Sequence, residues 1–199
     1  MTTIDATALR RALARPAGGS SDFDLNPGTV IVAGRSLRPA GVLVAIWDKP
    51  EGAQVILTKR SSRLKHHPGQ IAFPGGKVDP GDAGPQGAAL REAWEEIALP
   101  SDRVQVLGTM PRHETVTGFI VTPVLGVIRG EFTAIAQSGE VDEVFTVPLS
   151  HVTDPGRFRI EQRQWRGEWR RYYAVPYGPY YIWGATARIL RGLAERLGP

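Results

Sequence analysis

The sequence predicts an α/β fold in one domain, and three observations predict it. Runs of strand length recur at residues 40–47, 54–60, 69–73, 104–110, 115–128 and 138–149, then as a pair at 158–164 and 168–175. Three segments carry helical periodicity instead, at 5–15, 85–97 and 184–197. The 199 residues, 42% of them hydrophobic, are enough for a single packed core. Residues 1–35 read as an N-terminal helical arm and link, and residues 36–199 as the core of that domain.

Composition removes several function classes. No apolar run approaches the roughly 20 residues of a membrane span. The opening MTTIDATALRRALARP has an early acid, two mid-segment arginines and no apolar h-region, so it does not read as a signal peptide. With no cysteine there is no disulfide framework, thiolate metal site or cysteine nucleophile, and a cytoplasmic location is expected. The formal charge of +4 suits an anionic ligand. Nucleic acid is anionic too, but no RNA-binding motif appears and none is expected as partner; a homodimer is left open.

Taken in order, residues 5–15 place Ala8, Leu9, Ala12 and Leu13 on one helical face, with Pro16 beyond the end. With the Gly/Ser-rich link at 16–21 they form a lid or packing arm without chemistry. Residues 40–47 (AGVLVAIW) and 54–60 make a hairpin across a turn at 48–52, and their continuous apolarity implies burial on both faces. The stretch 59–67 carries Lys59, Arg60, Arg63, Lys65, His66 and His67. It reads either as a solvated loop or as cations for a phosphate, which arginine binds bidentately. His66 and His67 are adjacent, so an extended chain aims them apart and they are not a metal pair. A strand at 69–73 delivers the chain into a Pro-Gly-Gly turn, where Gly75 and Gly76 permit close approach of a ligand.

The helix at 85–97 begins at Pro85 and stops before Pro100, with Ala88, Ala89, Trp94 and Ile97 turned to the sheet. A strand at 104–110 follows, then a long β-rich stretch at 115–128 broken at Gly118 and Pro123. Arg112, His113 and Glu114 lie on the connection; His113 is a candidate for acid–base work, although a loop histidine is more often only solvated. Residues 138–149 open acidic, with Glu140, Asp142 and Glu143, and become apolar. The hairpin 158–175 turns at Arg166-Gly167 and is the most basic part of the chain, with Arg157, Arg159, Arg163, Arg166, Arg170 and Arg171. YGPYYIW at 177–183 leads into the last helix. Its aromatics either pack or, beside the arginines, stack an adenine.

The chemistry concentrates in residues 73–99, FPGGKVDPGDAGPQGAALREAWEEIAL. On a helix, Glu92 and Glu96 stand one above the other and Glu95 lies on the adjacent flank. Three carboxylates so placed repel each other unless a cation joins them, and oxygen ligands of that kind suit Mg²⁺ or Mn²⁺. A charged, solvated helix face is the plainer reading of the helix alone, with Arg91 and Glu95 as an i,i+4 pair. The preceding glycines, with Asp79 and Asp82 in the loop, favour a site.

This segment resembles a Nudix box, G-x5-E-x7-R-E-U-x-E-E-x-G-U, matched by Gly76, Arg91, Glu92, Glu95 and Glu96. Asp82 stands in place of the first Glu, eight residues rather than seven separate it from Arg91, Ala93 replaces the bulky U, and Ala98 replaces the closing Gly. Residues 56–76, ILTKRSSRLKHHPGQIAFPGG, resemble the signature preceding the box in Nudix hydrolases of coenzyme A. Leu57, Thr58, Arg60, Ser61, Gly69, Phe73, Pro74, Gly75 and Gly76 match it, and Ile56, Lys65 and Ile71 are conservative replacements.

The resemblance implies an α/β/α sandwich with a mixed curved sheet between the box helix and the C-terminal helix. It implies a pyrophosphatase that cleaves coenzyme A and its thioesters to 3′,5′-ADP and (acyl-)4′-phosphopantetheine. Mg²⁺ or Mn²⁺ would be held by Glu92 and Glu96 with Glu95 assisting. Glu140 is the first choice of base, with Glu143 and Glu92 behind it, and Arg91 orients the helix against the loop through Asp82 or Glu95. Arg60, Arg63 and Lys65 would read the 3′-phosphate, and Gly75 and Gly76 would admit the substrate. Two alternatives stand beside this reading: another Nudix specificity such as ADP-ribose or NADH, and a non-catalytic nucleotide or RNA binder.

Overall fold

A computed structural model of the chain describes residues 6–29, 34–165 and 167–198. The expected helix start at residue 5 and Arg166 of the hairpin turn lie outside them. The sheet is built around β2 (Arg38–Lys49), after the two-residue strand β1 (Ser20–Ser21). Strand β3 (Gly52–Arg60) returns antiparallel along the second half of one edge of β2. Beyond β4 (Ile71–Ala72), strand β5 (Gly75–Lys77) takes the first half of that edge. The expected strand at 69–73 is thus only two residues long. The Pro-Gly-Gly turn continues straight into a strand, because Gly75 and Gly76 pair with Val42 and Gly41.

Strand β6 (Val104–Thr109) and β7 (His113–Glu114) lie antiparallel on the outer edge of β8 (Phe119–Ile128), whose inner edge runs parallel to β2. Pro123 does not break β8. It falls where the outer partner changes from β7 to β6, so no ladder donor is missed there, and its carbonyl still accepts from Met110 N–H at 2.8 Å. Strand β9 (Val141–Pro148) pairs with β3, and β1 joins β7 in parallel.

The continuous apolarity of β2 and β3 is explained by helices on both faces. Leu43 and Ala45 of β2 and Ile56 of β3 pack with Ala89, Ala93 and Ile97 of helix α2 (Gly84–Ile97). The intervening Val44, Ile46, Val55 and Leu57 pack with Ala187, Leu190 and Leu193 of the C-terminal helix (Gly184–Leu197). Strand alternation sends successive side chains to opposite layers, so every one of them is buried. The architecture is the expected α/β/α sandwich with a mixed sheet. No helix among the described residues is long and apolar enough to cross a membrane.

One element faces differently from the expectation. Trp94 is 56% exposed, and the buried stripe of α2 is Ala88, Ala89, Ala93, Glu96 and Ile97. Trp94 sits about 140° round the helix from Ala89, which carries it off the i, i+4, i+8 stripe. The N-terminal helix α1 (Ala6–Ala14) buries Leu9 and Ala12 as expected, and the buried Arg196 donates to the Ala12 carbonyl at 2.8 Å. The link after it is no loose tether, since β1 forms part of it. His113 is neither on a loop nor solvated: it is fully buried, with Ser20 Oγ at 2.9 Å from Nδ1 and Asp22 Oδ1 at 3.1 Å from Nε2. A short helix α3 (Leu149–Val152) leads to β10 (Arg159–Trp165) and β11 (Glu168–Ala174). These form a separate two-stranded sheet, attached to the entry of the C-terminal helix, α4, by a bridge between Ala174 and Trp183.

Candidate active site

The site begins where β5 meets α2, and close approach of backbone to helix makes it. A Cβ on Gly41 would lie 1.8 Å from the Pro85 carbonyl oxygen, and one on Gly75, at φ +153°, would lie 2.4 Å from the Gly41 carbonyl. Only glycine permits the first turn of α2 to sit on β2 in this way. Sequence reading singled out Gly75 and Gly76 but missed Gly41. Its signal was there, a lone glycine inside the apolar run 40–47, which marks a close backbone approach. At Gly76 the neighbour is the Glu92 carboxylate, whose Oε1 would lie 2.2 Å from an added Cβ.

Arg91 holds the loop to the helix. Its Nε and Nη2 donate to the two carboxylate oxygens of Asp82 at 2.9 and 3.1 Å, a fork-to-fork pair. Nη1 donates to Glu95 at 2.8 Å, and Nη2 lies 3.1 Å from Glu92. The two alternatives for its partner, Asp82 and Glu95, are therefore both realised. Surrounded by acids, Arg91 is held charged well above its ordinary range, and its hydrogen bonds keep Asp82 below the usual carboxylate range. The short acid and longer spacing of the loop are accommodated, because Asp82 also accepts from the Asp79 N–H at 2.8 Å.

Glu96 is the most constrained of the acids. It is 5% exposed, and Oε2 accepts from Gly75 N–H at 3.1 Å. Burial pushes its pKa up to about 7; Glu92 and Glu140 push the same way, while the Gly75 hydrogen bond and Arg60 oppose them. Glu92 is raised as well, again chiefly by burial, with Glu95 and Glu140 adding repulsion. Glu140 is thus electrostatically part of the group although it is far away in sequence. The loop before it explains how: Ile135 and Gln137 N–H groups bond the Ile97 and Glu96 carbonyls, satisfying the end of α2, and Ser61 N–H bonds the Glu140 carbonyl at 2.8 Å.

The donor set fits a hard divalent cation in its chemistry, being all oxygen, partly buried and mutually repelling. Among the described residues no group of three or more acids or histidines is already gathered tightly enough to hold an ion. Glu92 and Glu96 share the buried side, whereas Glu95 is half-exposed and engaged with Arg91. Glu143 is occupied elsewhere: the Tyr180 hydroxyl donates to it at 2.5 Å.

Of the basic stretch, Arg60 points inward, its charge bears on Glu96, and its buried Nε lacks a hydrogen-bond partner among the described residues. Arg63 and Lys65 are exposed. Beside them opens a cleft of about 730 Å³, walled by Lys59, His67, Glu143, Arg163, Tyr180 and Trp183 among others. Of the two readings of the aromatics, the structure shows the packing one at Tyr180, which stacks on Phe145 at 3.6 Å, while Arg163 lies over Trp183 at 4.6 Å on the cleft wall.

The NUDIX domain model matches residues 37–168. Proteins described as uncharacterized Nudix hydrolase NudL are similar in sequence. The one from Cronobacter sakazakii is 44% identical and the one from Escherichia coli K12 43%, each over 161 residues that cover 81% of this chain and 83% of the relative. Among solved structures, the NUDIX domain of Shewanella oneidensis NrtR complexed with ADP ribose is similar at a TM-score of 0.53 and 17% identity, covering 88% of this chain and 95% of that one. A Nudix hydrolase from M. smegmatis, RenU, is similar at 0.50 and 25% identity, over 59% and 74% of the two chains.

Proposed function

The chain belongs to the Nudix hydrolases, pyrophosphatases acting on phosphorus anhydrides, and from that premise we propose that its substrate is coenzyme A. Cleavage would fall in the diphosphate, giving 3′,5′-ADP and 4′-phosphopantetheine, or its acyl form from a thioester. The observation that carries this reading is the stretch 56–76, which runs without interruption into the box and places Arg60 against the acids of α2. A diphosphate arriving at Glu92 and Glu96 would meet the Arg60 guanidinium, whose buried Nε lacks an acceptor among the described residues. Arg63 and Lys65 would meet the phosphates from the solvent side.

Nudix hydrolases generally use divalent metal ions, and here Glu92 and Glu96 would hold one, Mg²⁺ or Mn²⁺, with Glu95 joining by releasing Arg91. Such an ion screens the substrate's negative oxygens and acidifies water, which is what a kinetically inert diphosphate needs. Glu140 takes the proton of the attacking water, since its charge bears on the pair while its backbone is held by Gln137 and Ser61. Glu92 and Glu143 stand behind it, because Arg91 already contacts the one carboxylate and Tyr180 the other. Arg91 itself orients the helix against the loop, and Gly75 and Gly76 leave room for the substrate.

A substrate panel tests this. Coenzyme A, 3′-dephospho-coenzyme A, ADP-ribose and NADH are incubated with Mg²⁺ or Mn²⁺, and the products are resolved chromatographically. Coenzyme A is expected to give the highest kcat/KM, with 3′,5′-ADP as product and no turnover in EDTA. Faster hydrolysis of ADP-ribose or NADH would overturn the substrate assignment.

A further inference from the structure

A second, smaller cavity of about 240 Å³ adjoins the 730 Å³ cleft, and the two share His67, Gln70, Arg163, Trp165 and Trp183 as walls. Its back is Arg170. That guanidinium lies over the Trp165 ring at 4.7 Å and faces Phe23 at 5.7 Å, so two aromatic rings fix its plane. Its Nε and Nη1 are buried and make no hydrogen bond among the described residues; the Glu168 carboxylate comes no nearer to Nη2 than 4.0 Å. A buried guanidinium with unused donors is costly unless something fills them, and a planar fork of N–H groups is built for a carboxylate or phosphate.

The rest of the lining agrees with an anion. Arg163, held over Trp183, lines it too, as do Thr115 and Thr117, whose hydroxyls bond each other at 3.1 Å. The one acid in the lining, Asp22, is already spent: Oδ1 on His113 and Oδ2 on the Val116 N–H at 2.9 Å. The cavity is below the roughly 300 Å³ of a pocket for a whole drug-sized ligand, so it suits a phosphate group while the neighbouring cleft takes a ring and sugar. His67, in its wall, feels the charge of both Arg60 and Arg163.

We infer that the Arg163–Arg170 pocket receives the 3′-phosphomonoester at the nucleoside end of the substrate, with the adenine in the adjoining aromatic cleft. The inference rests on the coenzyme A reading for the identity of that phosphate. It assigns the discriminating contact to the hairpin β10–β11, rather than to the exposed Arg63 and Lys65, whose attraction solvent and salt would screen.

Calorimetry with 3′,5′-ADP and 5′-AMP, which differ only in the 3′-phosphate, tests the pocket without turnover or metal. The wild type is expected to bind 3′,5′-ADP roughly ten- to a hundredfold tighter, the range of one or two charge-assisted contacts. Arg170→Met, which keeps the stem but not the fork, is expected to reduce that ratio to about one, and Arg163→Met to reduce it in part. Because Arg163 is exposed, its variant keeps the test alive should Arg170→Met fail to fold. In parallel, the preference for coenzyme A over its 3′-dephospho form should collapse in the same variants and persist in Arg63→Ala. A wild-type ratio near one, or a ratio unchanged in both arginine variants, would overturn the inference. So would inorganic phosphate binding as tightly as 3′,5′-ADP, which would make the pocket a free-anion site. Preference for ADP-ribose or NADH in turnover defeats the substrate reading instead, and the calorimetric arm still judges the pocket by itself.

Discussion

Replacing Glu96 by glutamine should make the metal-free protein more stable while removing its activity. Glu96 is 5% exposed, and its pKa is raised from 4.5 to about 7. Below pH 4.5 the folded and unfolded chains both carry the proton, and the residue contributes nothing to the pH dependence. Between pH 4.5 and 7 the unfolded chain ionises first, so the folded state binds more protons and stability falls as pH rises. Above pH 7 the whole penalty is present. At about 1.36 kcal/mol per unit of pKa, it is on the order of 3 kcal/mol. Glutamine keeps the shape and can still accept from the Gly75 N–H, but it has no charge to bury.

The assay is urea unfolding in EDTA from pH 4.5 to 8. Wild type and Glu96→Gln should be nearly equal at pH 4.5, and the variant should lead by up to about 3 kcal/mol at pH 8, with unchanged m. The raised pKa of Glu92, present in both proteins, leaves a smaller slope of the same sign. Saturating Mg²⁺ should restore the wild type at pH 8, by about 2.7 kcal/mol at a hundred times Kd, and help the variant less. Hydrolysis by Glu96→Gln should be mostly lost. A difference between the two proteins that does not grow with pH would refute the buried-charge account, and near wild-type turnover would remove Glu96 from the metal site.

Three more perturbations have expected outcomes. Glu140→Gln should lower kcat by roughly 10²–10⁴ with a smaller change in Mg²⁺ requirement than Glu96→Gln; a silent Glu140→Gln beside a crippling Glu143→Gln would move the base to Glu143. Gly41→Ala puts a methyl 1.8 Å from the Pro85 carbonyl, and backbone has to move, so thermal or urea unfolding should show a loss of several kcal/mol, above the ~1–3 typical of overpacking. Ala98→Gly should raise stability by about 1 kcal/mol in the same measurement, because Ala98 caps α2 at φ +55°, ψ +32°, where a Cβ is penalised and glycine is the usual cap.

The basic stretch and the hairpin show where the limit of the sequence lay. Arg60, Arg63 and Lys65 are three cations within six residues, and nothing local says that Arg60 turns in toward Glu96 while the other two remain in solvent. The inward turn follows from pairing of β3 with β4 and β9, contacts made with residues far along the chain. Arg163 and Arg170 read as two among six arginines until Trp165, Trp183 and Phe23 fixed them.

What the sequence determined by itself was whatever depends on period and spacing. Runs apolar at every position required two covering layers, and helices of the observed length were there to supply them. The order R-E-x-x-E-E fixed which side chains share a helix face, and the glycines marked where backbone meets helix. What only the tertiary structure decided was burial and cross-chain company. Trp94 faces solvent because Ala89, Ala93 and Ile97 claim the sheet. His113 is buried because β1 returns to pair with β7 and brings Ser20 and Asp22 to its ring. Glu96 acquires its raised pKa from the desolvation that packing imposes, and Glu140 reaches it because residues 135 and 137 satisfy the last carbonyls of α2. Periodicity is a property of neighbours along the chain, whereas desolvation and long-range hydrogen bonds belong to neighbours in space.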